Sequence, residues 1–303
     1  MNIELLDNLD DSNMPKLASK DFEFIQRELY ANLHKKQILA FLKKQKNKTV
    51  QDIASFLEHN KMTVFPYNFV NKYNRSLISC KYDTDNKMYY ICNNNIPLYA
   101  KPTYKNEFRV KRYFSNLMME QDINSPHRYT TNDFKPTKDC VLLDIGGAEG
   151  FFAAKYLDVC KKIYVFECDE NWLCALNQTF SAYKDKVVII NKYVTDYCDD
   201  NHISLDKFIE SEGLQNENLF VKADCEGYEP WILRGMKHTL TNSKSNIKLA
   251  ICTYHSHEHE ALFRSVFDDW QIESSKGYML YYYDFDFRKP YLRRGLLRIQ
   301  NNN

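Results

Sequence analysis

The chain has 303 residues, 44% of them hydrophobic, which is enough for one large domain or two ordinary ones with a substantial core. Its 41 Lys and Arg residues nearly balance 40 Asp and Glu residues, so the net charge of +1 gives no electrostatic support for a nucleic-acid partner. No apolar run approaches the length of a membrane span, and the acidic first residues do not resemble a secretory signal. The nine scattered cysteines favour reduced thiols in a cytoplasmic protein over disulfides.

The first hundred residues show no alternation of strands and helices. Apolar spacing predicts a helix over residues 22–44 and a shorter one over 50–58. Residues 78–92 are typical of a β-hairpin, and a further helix is predicted over 106–121. We therefore divide the chain into an N-terminal accessory region of helices and a β-hairpin, residues 1–105, and a main domain, residues 106–303.

From residue 139 onward the pattern changes to alternating strands and helices. Near-continuous apolar strands separated by helices indicate a mostly parallel sheet covered by helices on both faces, which is an α/β fold. Two apolar segments of the tail have no helix between them and predict an antiparallel pair at one edge of the sheet. The predicted strands are 141–145, 163–167, 187–194, 219–224 and 247–255, and the tail segments are 278–283 and 294–299.

A glycine-rich turn follows the first of these strands. It lacks the Lys-Ser/Thr of a phosphate-binding loop and the Gly-x-Gly-x-x-Gly of a dinucleotide fingerprint. Its acid and its glycine spacing suit S-adenosylmethionine, whose ammonium group needs acceptors near the loop. Glu167 ends the second strand and would accept hydrogen bonds from both ribose hydroxyls. The alternative is an ordinary strand–helix turn followed by a solvated glutamate. The candidate cofactor-binding residues of the turn are Asp144, Gly146, Gly147, Ala148 and Gly150.

An acidic loop follows the fourth predicted strand and carries Asp224, Glu226 and Glu229. Ligands of open α/β sheets bind at this carboxyl edge. Asp224 is therefore a candidate for both cofactor binding and catalysis, and Glu226 is a candidate for catalysis. The alternative is that Glu226 and Glu229 complement the dipole of the next helix.

These motifs together resemble the FkbM family of S-adenosylmethionine-dependent methyltransferases, from about residue 120 to the C-terminus. The resemblance implies a class I methyltransferase (Rossmann-like) fold, with a seven-stranded sheet whose last strand is antiparallel. It also implies O-methylation, often of sugar hydroxyls in glycans or glycosylated natural products. Many members carry Ala-Asn where this chain has Gly147-Ala148, which leaves open the side chain that contacts the cofactor there. The resembling segments are residues 144–152, 165–167, 203–208, 222–229 and 233–235.

Three alternating histidines end the fifth predicted strand, at positions 255, 257 and 259. Such spacing invites a metal site in which His255 joins Asp224 and Glu226. However, the sequence from Glu258 onward is typical of a helix, so the three histidines would not share one face. We therefore expect His255 at the site, with His257 and His259 as capping or surface residues.

Methyl transfer to a hydroxyl requires alignment of acceptor, methyl group and sulfur, together with removal of the hydroxyl proton. His255 is the candidate base, and Asp224 or Glu226 could serve instead or orient it. Segments that enter this fold commonly pass over the methionine end of the cofactor. Glu120 and Tyr129 are therefore candidates for cofactor contact, with a purely structural linker as the alternative.

The expected protein is a cytoplasmic enzyme that uses S-adenosylmethionine to O-methylate a sugar hydroxyl in glycan or glycosylated-metabolite biosynthesis. Its expected partner is a small-molecule or glycan acceptor. One alternative is a metal-assisted methyltransferase on a phosphorylated or small phenolic acceptor; a divalent metal is compatible with the sequence but not indicated by it. The other alternative is a non-catalytic scaffold protein with a cofactor fold.

Overall fold

The computed structural model describes residues 1–8, 20–242, 244–282 and 287–301, apart from the side chains of residues 8 and 20–28. The accessory region contains two long helices and a three-stranded antiparallel sheet, preceded and interrupted by short 3-10 helices. The 3-10 helices are Ile3–Asn8, Asn68–Lys72 and Arg75–Leu77, the α-helices are α1 (Lys20–Leu42) and α2 (Lys48–His59), and the strands are β1 (Cys80–Asp83), β2 (Met88–Asn93) and β3 (Ile96–Tyr99). The predicted hairpin is present, and β3 extends it by one strand.

The main domain begins with helix α3 and then alternates strands with helices. The asparagine before α3 caps it by accepting a hydrogen bond from the Arg109 amide at 2.9 Å. The elements are α3 (Glu107–Glu120), β4 (Val141–Ile145), α4 (Phe151–Lys155), β5 (Lys162–Phe166), α5 (Glu170–Thr179), β6 (Val187–Ile190), β7 (Tyr193–Thr195), β8 (His202–Ser204), α6 (Leu205–Ser211), β9 (Leu219–Ala223), α7 (Glu229–Arg234), α8 (Lys237–Asn242), β10 (Ile247–Cys252), α9 (His259–Val266), β11 (Gln271–Ser274) and β12 (Leu296–Gln300).

Seven of these strands form one sheet in the order β11-β12-β10-β9-β4-β5-β6. Strands β10, β9, β4, β5 and β6 are parallel, and β12 runs antiparallel to both β10 and β11. The expected α/β fold, a mostly parallel seven-stranded sheet with an antiparallel last strand, is confirmed. Strands β7 and β8 form a separate parallel pair, so the single strand predicted over residues 187–194 is two strands.

The central strands are buried along their whole length, because each faces a hydrophobic core on both sides. Every residue of β4 and β9 is buried. Leu142 and Phe220 point into the core on one face, whereas Leu143 and Val221 point into the core on the other. This double burial explains why the sequence shows continuous apolar runs, and it makes the polar residues Asp144 and Lys222 within these strands exceptional.

The tail prediction is correct for one of its two segments. Strand β12 overlaps the predicted 294–299, but its edge partner is β11 rather than residues 278–283. Within the described part of that segment, Met279 forms an isolated bridge to Arg293. Leu280 and Tyr282 instead pack in a cluster with α1 and α2, and the Leu280 amide donates to the Val64 carbonyl at 2.9 Å. The apolar pattern of the segment therefore serves helix packing, not a sheet edge.

The accessory region packs closely on the main domain. The Tyr99 amide donates to the Thr179 hydroxyl at 3.1 Å, and the Lys101 ammonium lies 2.5 Å from the Asp169 carboxylate. These contacts join β3 and the residues just after it to helix α5. Helix α5 follows β5, which ends beside the glycine turn. None of the described helices is both long and apolar enough to cross a membrane.

Candidate functional site

The glycine turn joins β4 to α4 and is pinned between two neighbours. Gly146 and Gly150 have φ angles of +72° and +79°, and Ala148, with φ +45°, adopts the same left-handed region. The amides of Gly146 and Gly147 both donate to the Phe166 carbonyl, at 3.0 and 3.1 Å. The turn is therefore tied to the end of β5.

The three glycines are also required by packing inside the protein. A Cβ atom at Gly146 would lie 2.2 Å from the Asp224 carbonyl oxygen, and one at Gly147 would lie 2.2 Å from a methyl group of Val165. A Cβ at Gly150 would lie 2.6 Å from the Phe180 ring. The glycine spacing, which the sequence analysis interpreted as a cofactor motif, thus also allows the turn to pack against the acidic loop at Asp224. Contact of Gly146, Gly147, Ala148 and Gly150 with a cofactor stays a prediction.

Glu167 lies at this turn, directly after β5. Its Oε2 accepts a hydrogen bond from the Ala148 amide at 2.9 Å, and its Oε1 accepts from the Cys168 and Asp169 amides, both at 2.8 Å. Three backbone donors therefore hold the carboxylate in one orientation. Oε1 already accepts two hydrogen bonds, whereas Oε2 accepts one and keeps a lone pair with which it can accept from a ligand.

Asp144 and Lys222 form a fully enclosed ion pair beneath the turn. Their side chains are 0% and 5% exposed, and Lys222 Nζ lies 3.1 Å from Asp144 Oδ1. The same ammonium donates to the carbonyls of Ile145 and Gly146, at 3.1 and 2.6 Å. Although burial alone would lower the pKa of Lys222, the Asp144 and Asp224 carboxylates raise it above its usual value.

Neither oxygen of Asp144 has a hydrogen-bond donor. Both are buried and make no hydrogen bond among the described residues, although Oδ1 has the ion-pair contact with Lys222. A buried carboxylate oxygen without a donor is costly, and it marks a place where a ligand donor would be favourable. Sequence reasoning identified Asp144 but assigned no role to Lys222. Its signal was a lysine inside a strand buried on both faces, which needs a counter-charge.

Asp224 is the centre of the acidic loop and is surrounded by donors. Its Oδ2 accepts from the Tyr129 hydroxyl at 2.6 Å, and its Oδ1 accepts from the Tyr254 hydroxyl at 2.8 Å. His127 Nε2 lies 3.2 Å from Oδ2. Burial alone would raise the pKa of Asp224, but His127, His255 and Lys222 hold it well below its usual range. Tyr129 and Asp224, predicted separately, are thus in direct contact.

His127 is a site residue that the sequence analysis missed. Its side chain is 3% exposed, and its ring packs against Tyr129 and Tyr254 with centroid distances of 5.2 and 5.0 Å. The available signal was its position two residues before Tyr129, which places both side chains on one face of an extended segment. His127 and Tyr254 thus both contact Asp224.

His255 also lies at the site, as predicted, and is held by Glu229. Its Nδ1 lies 2.9 Å from Glu229 Oε1, and its Nε2 lies 3.7 Å from Asp224 and 3.9 Å from Glu226. Burial would lower the pKa of His255, but Glu229, with Asp224 and Glu226, raises it to about 9. Glu226 is half-exposed and has a φ of +54°.

Glu229 therefore does more than complement a helix dipole. It is the first residue of α7 and fully buried, and its Oε1 also accepts from the Cys225 amide at 2.8 Å. Its Oε2 lies 3.7 Å from Nδ1 of His259. His259 is 8% exposed, so the expectation of a capping or surface position for it is wrong. Its burial lowers its pKa to about 4.

Glu120 ends helix α3 close to the same groups. Burial raises its pKa to about 7: His127 opposes the rise, while the carboxylates of Asp224, Glu149 and Glu226 add to it. Burial likewise raises the pKa of Glu149, although that carboxylate accepts a hydrogen bond from the Tyr113 hydroxyl. More carboxylates than cations converge here, which favours a positively charged ligand.

Two groups of side chains place possible metal ligands within 4.8 Å of one another among the described residues, and both use Asp224. One adds His127 and Cys252, and the other adds Glu229 and His255. Both oxygens of Asp224 already accept hydrogen bonds from tyrosine hydroxyls, which compete with a metal ion for the same lone pairs. His255 Nε2 lies 3.7 Å from Asp224 and 3.9 Å from Glu226, but Asp224, Glu226 and His255 do not form either of these two groups.

A cleft of about 480 Å³ lies away from these groups. It is formed by the 3-10 helices, β1, β2 and α3, and none of the candidate site residues lines it. The lining residues are Lys72, Tyr73, Asn74, Leu77, Ile78, Ser79, Lys81, Ile91, Cys92, Ser115 and Met118.

The strand order of the sheet and the position of the antiparallel strand are typical of class I methyltransferases. No protein-family model matches the chain, and no curated protein matches it. Among solved structures it is similar to methyltransferase FkbM from Methylobacillus flagellatus KT, with 13% identity, a TM-score of 0.44 and coverage of 92% of this chain. The chain spans 62% of the length of that protein, whose name is that of the family indicated by the motifs.

Two further structures have lower TM-scores and match a smaller part of the chain. One is an rRNA methylase from Streptococcus thermophilus, with 14% identity, a TM-score of 0.35, and coverage of 55% of this chain and 87% of that one. The other is precorrin-6y C5,15-methyltransferase from Geobacter metallireducens GS-15, with 13% identity, a TM-score of 0.34, and coverage of 55% and 81%. At this level of similarity, the function of this chain rests on its own residues.

Proposed function

We propose that the protein is an S-adenosylmethionine-dependent methyltransferase that O-methylates a sugar hydroxyl in glycan or glycosylated-metabolite biosynthesis. The observation that carries the proposal is Asp144 Oδ2, a buried carboxylate oxygen without a donor at the glycine turn. Glu167 lies at the same turn, and its Oε2 keeps a lone pair with which it can accept from a ribose hydroxyl. An ammonium group and a ribose are the two polar ends of S-adenosylmethionine.

The charge of the site fits this cofactor. S-adenosylmethionine carries an ammonium and a sulfonium, and it supplies an activated methyl group for transfer to a nucleophile. Burial raises the pKa of Glu120 and Glu149, and nearby carboxylates add to the rise at Glu120, so a cationic ligand beside them would favour their charged forms. The residues proposed to hold the cofactor are Glu120, Tyr129, Asp144, Gly146, Gly147, Ala148, Gly150, Glu167 and Asp224.

His255 is the proposed catalytic base, oriented by Glu229. The contact at 2.9 Å engages Nδ1 and leaves Nε2 directed at the space beside Asp224 and Glu226. A base must take the hydroxyl proton as the new bond forms, and a histidine held by a carboxylate is well suited to this task. Because its pKa is about 9, His255 is mostly protonated at pH 7, so turnover should increase toward pH 9. Asp224 and Glu226 are the alternative bases.

The sugar acceptor is supported by the sequence resemblance, and its identity needs a direct screen. The first test is isothermal titration of the protein with S-adenosylmethionine. Absence of binding would refute both the proposed methyltransferase activity and the proposed cofactor. Asp144→Asn should weaken binding by about tenfold or more, because a carboxylate facing an ammonium is replaced by a neutral amide. Asp133→Asn, a change at an exposed carboxylate, is the control.

The second test is transfer of a labelled methyl group to a panel of nucleotide sugars, glycan precursors, phosphorylated compounds and small phenols. Methylation confined to sugar hydroxyls, and unaffected by EDTA, supports the proposal. Loss of activity in EDTA that returns with magnesium would instead establish the metal-assisted alternative. Binding of the cofactor without transfer to any compound of the panel would count against the assigned acceptor class.

A further inference from the structure

Lys222 occupies a position in β9 where an apolar residue would be expected. It pairs with Asp144 of β4 in the parallel register, and both lie on the face of the sheet that carries Leu142 and Phe220. A lysine inside a strand buried on both faces incurs a large desolvation cost. Replacing such a buried pair with apolar residues is often neutral or stabilising, so stability alone is a weak reason for its presence.

We propose that Lys222 is a positioning residue that fixes the glycine turn and Asp144 for recognition of the cofactor's ammonium group. Three acceptors lie within 3.1 Å of its Nζ: Asp144 Oδ1, the Ile145 carbonyl and the Gly146 carbonyl. The two carbonyls accept hydrogen bonds from the ammonium, and Asp144 Oδ1 forms an ion pair with it. Lys222 thus ties the end of β4 and the first residue of the turn to β9.

This arrangement determines which acceptor is left for a ligand. Lys222 holds Oδ1 of Asp144 in an ion pair, and Oδ2, which likewise makes no hydrogen bond among the described residues, is the oxygen assigned to the ligand. It also fixes the direction of the Gly146 carbonyl, at a residue whose φ is +72° and which packs against the Asp224 carbonyl. The lysine does not need to touch the ligand. It acts through Asp144 and the turn.

The inference rests on the proposed cofactor, and its test uses two ligands that differ at one end. S-adenosylmethionine has the amino-acid group and a sulfonium, whereas 5′-methylthioadenosine has the same nucleoside with a neutral thioether and no amino-acid group. Lys222→Met should weaken binding of S-adenosylmethionine by about tenfold or more and leave the affinity for 5′-methylthioadenosine within about twofold. Lys161→Met, which breaks the exposed pair with Glu217 at 2.6 Å, is the control and should change neither affinity.

A second variant covers the case in which Lys222→Met does not fold, since that change leaves Asp144 buried without its counter-charge. The double variant Lys222→Met/Asp144→Asn carries no unpaired charge and should fold, and it should bind S-adenosylmethionine more weakly than Asp144→Asn alone, because the Gly146 carbonyl is no longer fixed. Equal weakening of both ligands in the folded variants, or wild-type affinity for both, would overturn the inference alone. Failure of the wild-type protein to bind S-adenosylmethionine would overturn the proposed function, and this inference with it.

Discussion

Replacement of Glu120 by glutamine should stabilise the ligand-free protein above neutral pH. The carboxyl group of Glu120 is mostly buried at the end of α3, and burial together with nearby carboxylates raises its pKa from 4.5 to about 7. The folded state therefore binds this proton more tightly than the unfolded state does. As pH rises from about 4.5 through 7, the folded state must lose the proton at a cost, and stability falls. Glutamine has no proton to lose.

The size of the effect follows from the two pKa values. The interval from 4.5 to about 7 corresponds to about 3 kcal/mol at about 1.4 kcal/mol per pH unit. Part of the group is accessible to solvent, which screens the interaction, so we expect a gain of about 1 to 3 kcal/mol. The gain should be absent near pH 4.5, grow between pH 5 and 7, and level off above pH 7.

Urea unfolding of both proteins at several pH values between 4.5 and 8.5 measures this difference directly. Other groups titrate in both proteins, so their contributions cancel to first order. Glu107→Gln is the matched control, because Glu107 lies on the same helix, is 51% exposed and pairs with Lys111. It should give no gain that grows with pH. A free-energy difference between wild type and Glu120→Gln that stays constant over this range would refute the assignment of Glu120 to a carboxylate-rich site.

Three further predictions concern the reaction and the cofactor. His255→Ala should abolish turnover while changing the affinity for S-adenosylmethionine by less than about threefold; unchanged turnover would remove His255 from the mechanism. In the wild-type protein kcat/KM should rise between pH 7 and about 9 as His255 loses its proton, and a flat profile would contradict its role as base. Tyr129→Phe removes the hydrogen bond of 2.6 Å to Asp224 and should weaken binding of the cofactor by about tenfold. Tyr156→Phe, which removes a neutral bond of 3.0 Å to Thr130, is its control and should leave the affinity unchanged.

Much of the sheet could be predicted from the sequence because polar residues or glycines flank the apolar runs of its central strands. Strand β4 has the predicted limits, β5 is shifted by one residue at both ends and β9 is one residue shorter at its end, since an acid or a glycine follows each apolar run. Residues 278–283 misled the prediction for a definite reason. An apolar run of that length fits a sheet edge or a helix surface equally well, and only tertiary packing against α1 and α2 distinguishes them.

The position of the candidate residues at the carboxyl edge was predictable because each lies near or just after the carboxyl end of a strand. Asp144, Glu167, Asp224 and His255 all lie at the carboxyl edge, as the topology requires. Lys222 escaped notice as a functional residue because its role depends on lateral pairing with a strand 78 residues earlier. The helix-start position of Glu229 suggested a dipole role, and its contact with His255 depends on how α7 packs beneath the loop after β10.

The balance of charge links these observations to ligand binding. Asp144 is compensated by Lys222, and Glu229 is compensated by His255, so both pairs are close to neutral within themselves. At Glu120, burial and the carboxylates of Asp224, Glu149 and Glu226 raise the pKa to about 7. A bound cation should lower that pKa and release a proton, so stabilisation by S-adenosylmethionine should increase from pH 5 to pH 8. The unfavourable ionisation of Glu120 destabilises the ligand-free protein above pH 7, and a bound cation should remove part of that cost and so bind more tightly.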